Sequence, residues 1–152
     1  MRTMSEIVWQ IEHTIEADVS ATFAWRFWSN VANWDDPPAE FVLDGPFVAG
    51  SVGTTRIPGQ DPIQWRIRDV LPGACATIEI ELDRATASFT FSFKAVSATR
   101  TKLTQRIALK GENAAAYVEH MEAGFGTLPE GMKRLAAAMT TSAINSISAG
   151  AP

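Results

Sequence analysis

A long run of alternating apolar and polar residues in the middle of the chain constrains the fold most. Between Phe41 and Lys110, stretches such as "IQWRIRDV", "TIEIEL", "ASFTFSFK" and "KLTQRIALK" follow one another, with turn residues between them. Period two with one apolar face is typical of half-buried strands, and short connections favour an antiparallel meander. The apolar side chains predicted to share its inner face are Ile63, Trp65, Ile67, Ile78, Ile80, Phe89, Phe91, Phe93, Leu103 and Ile107.

One strand and two short helices are predicted ahead of this run. The stretch "IVWQIEHTIE" also alternates, and its inward set places His13 among isoleucines. The period then becomes helical in "ADVSATFAWRFWSN", where Asp18 or Ser20 can cap the first helix. Asn30 can cap a second short turn ahead of Trp34. Two prolines follow, and they prevent a helix from continuing because proline has no amide N–H.

A helical pattern returns after the meander. Its large apolar residues step by three or four positions and are Tyr117, Met121, Phe125, Leu128, Met132, Leu135 and Met139. This spacing predicts one long amphipathic helix, or two segments bent at Pro129. The small and polar tail is expected to fray from about residue 144. With no repeat or linker in the sequence, residues 1–152 are predicted to form a single domain.

Charge and hydropathy exclude several classes of protein. The chain has 152 residues, a formal net charge of -4 and a pI of about 5.1. Because no basic run is present, a nucleic-acid partner is disfavoured on electrostatic grounds. No apolar stretch is long enough to span a bilayer, and the N-terminus lacks a secretory pattern. We therefore expect a cytoplasmic protein without stable membrane insertion.

Residues that bind metals or form disulfides are scarce. Cys75 is the single cysteine, so an internal disulfide is excluded, and we expect a small, half-buried side chain there. The two histidines, His13 and His120, lie far apart in the sequence, and His120 falls off the apolar stripe and is expected to be exposed. We expect neither a metal site nor a cofactor.

The order of elements resembles that of a known superfamily. A strand, two short helices, a long meander and a C-terminal helix occur together with "ADVSATFAW", "NVANWDD", "GPFVAGSVGT" and "QWRIRDVLPG". This combination is similar to the START-like helix-grip superfamily, and within it to the polyketide cyclase/dehydrase and lipid-transport branch of the SRPBCC proteins. The resemblance implies an α+β fold in which a curved antiparallel sheet wraps around the C-terminal helix and leaves a cavity. Members bind lipids, sterols or polyketides, and some catalyse cyclisation or dehydration, without a universal catalytic signature.

Two polar residues interrupt the rows of inward-facing apolar side chains on the predicted strands. His13 shares the parity of its neighbouring isoleucines, and Gln105 stands between Leu103 and Ile107. An inward imidazole can hydrogen-bond a ligand carbonyl or act as a base, so His13 is the best catalytic candidate. A buried amide needs partners, supplied either by a ligand or by another side chain such as His13. For both residues, a structural hydrogen bond is the alternative.

The remaining candidates are apolar residues that would line the cavity or pack the core. They are Trp9, Trp34, Trp65, Phe89, Phe91, Phe93, Met121, Phe125 and Met132. Trp34 is a candidate for a lid, because the resemblance implies that the two short helices close one end of the cavity. Trp25 is expected to be partly exposed. The acidic residues Asp35, Asp36 and Glu40 are expected to be solvated, as loop carboxylates usually are.

Three functions are compatible with these features. The first is binding of a small, mostly apolar molecule, lipid or polyketide-like, in an internal cavity. The second is a polyketide cyclase/dehydratase type of enzyme that uses the same cavity, with His13 and Gln105 moving protons. The third is a co-chaperone-like interaction domain, which would show an exposed apolar patch instead. The sequence leaves a homodimer open.

Overall fold

The computed structural model describes residues 6–34 and 36–150. Its strands are β1 (Ile7–Ala17), β2 (Glu40–Asp44), β3 (Val52–Arg56), β4 (Ile63–Leu71), β5 (Cys75–Leu82), β6 (Ala85–Ser97) and β7 (Arg100–Lys110). Within the described residues, these seven strands form one sheet in the order β1-β7-β6-β5-β4-β3-β2, and each neighbouring pair is antiparallel. The predicted meander is confirmed.

The inner face of the sheet is the face that the alternation predicted. Every residue predicted for it is buried or half-buried. Ile67, Leu103 and Ile107 are completely buried, with 0% of their surface exposed. The opposite face is polar, and the Thr14 and Thr104 hydroxyls hydrogen-bond to each other there at 3.0 Å. The parity of the predicted strands is therefore confirmed.

Two short helices follow β1, and side-chain caps set their first residues. Helix α1 (Ala21–Trp28) begins after Ser20, whose hydroxyl accepts a hydrogen bond from the Phe23 backbone N–H at 3.1 Å. Of the two predicted caps, the structure uses Ser20. Asn30 caps the second helix, a 3-10 turn over Val31–Asn33, as predicted.

The C-terminal region consists of two helical segments after a short 3-10 turn (Ala114–Tyr117). These are α2 (Val118–Phe125) and α3 (Leu128–Gly150), so of the two predicted alternatives the structure has two segments, with the break at Gly126 and Thr127 and not at Pro129. Pro129 lies in the first turn of α3, where a missing N–H costs no helical hydrogen bond. The helix includes residues 144–150, and the fraying expected there stays a prediction.

The sheet grips α3. This helix packs against β1 and α1, and its Met132 and Met139 side chains are 1% and 0% exposed. The predicted α+β helix-grip fold is confirmed. Among the described residues, none of the helices combines the length and the apolar character that crossing a bilayer requires.

Candidate functional site

Aromatic rings fill one part of the interior. We call this set the aromatic cluster; its members are Trp25, Trp28, Trp34, Phe41, Phe47, Trp65, Phe91 and Phe93. Contacting rings have centroids 5.0 to 6.0 Å apart, within the range in which aromatic pairs attract one another. The cluster joins α1, the 3-10 turn and the strands β2, β4 and β6. Four predicted lining residues belong to it, and there they contact one another.

Trp34 is fixed between other rings of the cluster. Its indole stacks on Trp65 with centroids 5.3 Å apart and contacts Trp28 and Phe41. The Trp34 Nε1–H donates a hydrogen bond to the Trp28 carbonyl oxygen at 2.7 Å. The 3-10 turn is therefore held onto the sheet by a ring that has both an apolar face and a satisfied polar group.

A glycine makes room for Trp65. A Cβ atom at Gly53 would lie 2.2 Å from the Trp65 ring, which is impossible without displacement. The Trp65 Nε1–H donates to the Thr55 Oγ1 at 3.1 Å, two residues further along β3. The ring is thus held against the backbone of β3, and no space remains between the two.

Helix α1 turns Trp25 and Trp28 toward the cluster. Trp25 is half-buried, in line with the expected partial exposure, and its ring meets Phe47 and Phe93 edge-on at 6.0 and 5.6 Å. Trp28 is 7% exposed and stacks on Phe91 at 5.0 Å. The short helix anchors itself through these large rings.

His13 and Gln105 lie side by side on the inner face. They are paired residues of β1 and β7, and Phe91 follows Gln105 in the same row across to β6. Both polar side chains are half-buried. The parity argument placed each of them inward, but only the strand pairing shows that they are neighbours.

Neither polar side chain has a partner among the residues that the structure describes. Among the described residues, His13 and Gln105 make no side-chain hydrogen bond or ion pair, either with each other or with a third group. The same residues contain no side-chain nitrogen or oxygen that is both sealed from solvent and unpartnered. The polar atoms of His13 and Gln105 therefore reach accessible space.

The residues that flank His13 on β1 are partly covered, whereas Leu103 and Ile107, which flank Gln105 on β7, are fully buried. Ile11 and Ile15 flank His13 on the same face of β1 and are half-buried. Phe89, although β6 has a neighbouring strand on each side, is also half-buried, and its ring contacts Phe125 of α2 edge-on at 5.3 Å. We call the set His13, Gln105, Ile11, Ile15 and Phe89 the interior site.

The other predicted lining residues differ in burial. Met121 and Met132 are 4% and 1% exposed and belong to the packed core. Phe125 and Trp9 are half-buried, and Trp9 pairs with Leu109 on the same edge of the sheet as His13. Sequence reasoning missed Ile11 and Ile15, although their parity with His13 was visible.

Two surface depressions lie away from the interior site. One, of 380 Å³, is between the 3-10 turn and β2 and is lined by Ser29, Asn30, Val31, Ala32, Phe41, Val42, Leu43, Gly45 and Phe47. The other, of 230 Å³, is on the polar outer face, around Arg106 and Lys110. Neither has His13, Gln105 or Phe89 in its lining, so both are distinct from the space beside the polar pair.

The predicted solvated residues are on the surface. Asp36 and Glu40 are exposed, and Asp36 is 3.9 Å from the Arg134 guanidinium of α3. Asp35 lies outside the described residues. His120 is exposed as expected, and Cys75 is half-buried at the start of β5.

The curved sheet and the helices packed on its inner face form a helix-grip fold, and solved structures share this fold. Norcoclaurine synthase from Thalictrum flavum superimposes with a TM-score of 0.69 at 15% identity, covering 91% of this chain and 95% of its own. The Zhui aromatase/cyclase from Streptomyces sp. R1128 gives 0.66 at 16%, covering 95% and 99%. A protein from Arthrobacter aurescens gives 0.66 at 15%, covering 91% and 93%.

These identities are low, so the likeness establishes the fold. No family model matches the chain. No curated protein matches it either.

Proposed function

We propose that this chain binds a small, mostly apolar molecule at the interior site, with His13 and Gln105 hydrogen-bonding its polar group. The observation that carries the proposal is a pair of adjacent, inward-facing polar side chains without a protein partner among the described residues. Their polar atoms are not sealed from solvent, so a ligand can reach them.

The energetics favour a ligand that meets both groups. A polar group that is shielded from water and unpartnered costs roughly 1–3 kcal/mol. His13 and Gln105 are adjacent and half-buried, so a ligand that shields them from water must supply partners, and one ligand oxygen or a hydroxyl–carbonyl pair can satisfy both. Ile11, Ile15 and Phe89 offer apolar contact around them, and burying apolar area stabilises a complex by about 25 cal/mol per Å².

The solved structures of this fold support a ring-bearing ligand. One norcoclaurine synthase structure contains dopamine and hydroxybenzaldehyde, covers 94% of this chain and has a TM-score of 0.68 at 14% identity. Those ligands are described for that synthase. They motivate the choice of a hydroxylated aromatic molecule as the first probe for this chain.

Methionine methyl groups provide the direct test. Met121, Met132 and Met139 are buried in the core beneath α2 and α3. We expect titration of 2-naphthol into protein with labelled methionine methyls to shift at least one of these resonances in a saturable manner. If all three stay unchanged while 2-naphthol reaches millimolar concentration, the proposed function is wrong.

Matched leucine variants locate the polar contacts. His13→Leu and Gln105→Leu should each weaken 2-naphthol binding about tenfold, corresponding to about 1.4 kcal/mol. The exposed residues of the same types supply controls, His120→Leu on α2 and Gln64→Leu on the outer face of β4, and these should bind as the unmodified chain does. Calorimetric titration measures all four.

A cyclase or dehydratase activity is the second candidate. It is favoured by the unpartnered imidazole of His13, which is adjacent to an amide and has the chemistry of a general acid or base. An enzyme of this kind loses turnover in His13→Leu while product affinity changes little. Native mass spectrometry of protein purified from its own organism is the experiment that identifies the co-purifying molecule and hence the assay.

The co-chaperone-like alternative has less support. The exposed large apolar side chains of the described residues are distributed over several elements, and they are Ile7, Val42, Val48, Leu71, Val96 and Ile144. No observation gathers them into one docking face. The cytoplasmic location remains our proposal from the sequence.

A further inference from the structure

Charged side chains are excluded from the inner face. Every described Lys, Arg, Asp and Glu is exposed except Glu79, Arg106 and Lys110, which are half-buried. These three lie on the polar outer face, where Glu79 accepts a hydrogen bond from Ser88 and Arg106 donates to the Gln10 amide oxygen. No charged side chain of the described residues is therefore buried on the inner face of the sheet.

The two threonines of the inner face already have hydrogen-bond partners within the protein. Thr101 is 0% exposed and donates to the Val19 carbonyl oxygen at 2.8 Å. Thr55 accepts the hydrogen bond from Trp65. Of the inner-face residues on the described strands, His13, Gln105 and Trp9 have polar side chains that make no hydrogen bond, and of these three His13 and Gln105 offer both a donor and an acceptor.

From this distribution we infer that the interior site selects neutral ligands with a hydroxyl or carbonyl group and rejects carboxylates and phosphates, such as ionised fatty acids or phospholipid headgroups. The inference rests on the proposed function and adds the class of ligand to it. An amide and a neutral imidazole each offer a donor and an acceptor, which matches a phenol, an alcohol or a ketone. An anion entering the same space loses its hydration and finds no cation to replace it.

Three probes with the same ring system test the inference. They are 2-naphthol, which carries a hydroxyl group, naphthalene, which carries no polar group, and 2-naphthoate, which carries a carboxylate. The measurement is made at about pH 8, where an aromatic carboxylic acid is ionised and an ordinary imidazole is neutral. We expect 2-naphthol to bind about tenfold more tightly than naphthalene. We expect 2-naphthoate, added as a competitor, to leave bound 2-naphthol undisplaced at roughly a tenfold excess.

The competition experiment reports binding at the interior site alone. A carboxylate that binds to the cations of the outer face does not displace 2-naphthol from the interior site. In Gln105→Leu, the preference for 2-naphthol over naphthalene should disappear while naphthalene affinity is kept. Displacement of 2-naphthol by an equal concentration of 2-naphthoate would overturn the inference and leave the proposed function standing. Failure of both 2-naphthol and naphthalene to bind would overturn the proposed function itself, and the inference with it.

Discussion

The aromatic cluster and the interior site occupy the same face of one sheet, yet they are built in opposite ways. In the cluster, rings from five elements contact one another, and the indole N–H groups of Trp34 and Trp65 have acceptors within the protein. In the interior site, aliphatic residues surround two polar side chains that have no acceptor or donor among the described residues. The difference teaches that large aromatic residues alone do not indicate a pocket, and that unused polar groups beside partly covered apolar residues are the better signal to test.

The largest expected contrast is between two phenylalanines on β6. Phe91 is 4% exposed in the cluster, so Phe91→Ala should lower the free energy of unfolding by about 3–5 kcal/mol. Phe89, two residues away and half-buried, should lose clearly less, because truncation there enlarges space that already exists. Denaturant unfolding of both variants measures the contrast, and equal losses would show that the interior site is as tightly packed as the cluster.

A glycine substitution tests the tightness of the cluster from the opposite direction. In Gly53→Ala the added methyl group must displace the Trp65 ring, and overpacking of this kind costs about 1–3 kcal/mol. Gly124 of α2 is the control, since a Cβ there meets nothing within 4 Å. Gly124→Ala should stabilise the protein by about 0.5–1 kcal/mol through helix propensity. An unchanged melting temperature in Gly53→Ala would contradict the close approach of Trp65.

Two polar-to-apolar substitutions on β7 compare a side chain that has a hydrogen-bond partner with one that has none among the described residues. Thr101→Val leaves the Val19 carbonyl oxygen unpaired and should cost about 1–3 kcal/mol. Gln105→Leu removes an amide that has no protein partner, so the stability of the ligand-free protein should stay level or rise. A loss at Gln105 as large as that at Thr101 would indicate a structural role for the amide.

The smallest expected effect concerns the ion pair next to the cluster. Arg134 of α3 and Asp36 are 3.9 Å apart, with side chains 65% and 73% exposed. Exposed pairs contribute about 0–1 kcal/mol, so Arg134→Gln should change stability by no more than that. Thermal unfolding at low and high salt checks this. A larger, salt-sensitive loss would mean that charge, and not ring stacking, attaches the segment after Trp34 to α3.

The sequence predicted the inward faces of the strands and the first residues of the short helices well, because both depend on local patterns. Alternation alone placed His13 and Gln105 inward, and Ser20 and Asn30 cap the helices as their side chains allow. The adjacency of His13 and Gln105 depends on which strands pair, and β1 pairs with β7 although the other strands are between them in sequence. No local signal specifies that pairing.

Phe89 and Phe91 show a second limit. Both belong to one alternating stretch and have the same parity, so the sequence pattern assigns both to the inner face and predicts the same burial for each. Their burial differs because Trp28 of α1 covers Phe91, whereas Phe89 meets a single ring, that of Phe125 in α2. Distinguishing a core residue from a lining residue requires the positions of the helices above the sheet.

The stacking of the indoles gives the protein an optical signature. Four of its five tryptophans belong to the aromatic cluster, and the centroids of Trp28 and Trp65 are 5.8 and 5.3 Å from that of Trp34. Transition dipoles this close couple, so near-ultraviolet circular dichroism should report the order of the cluster as one collective band. Trp9 lies apart from them on β1, on the same edge of the sheet as His13. Because Trp9 is separate from the cluster, a change in its fluorescence can report ligand binding at the interior site while the fluorescence of the cluster stays constant.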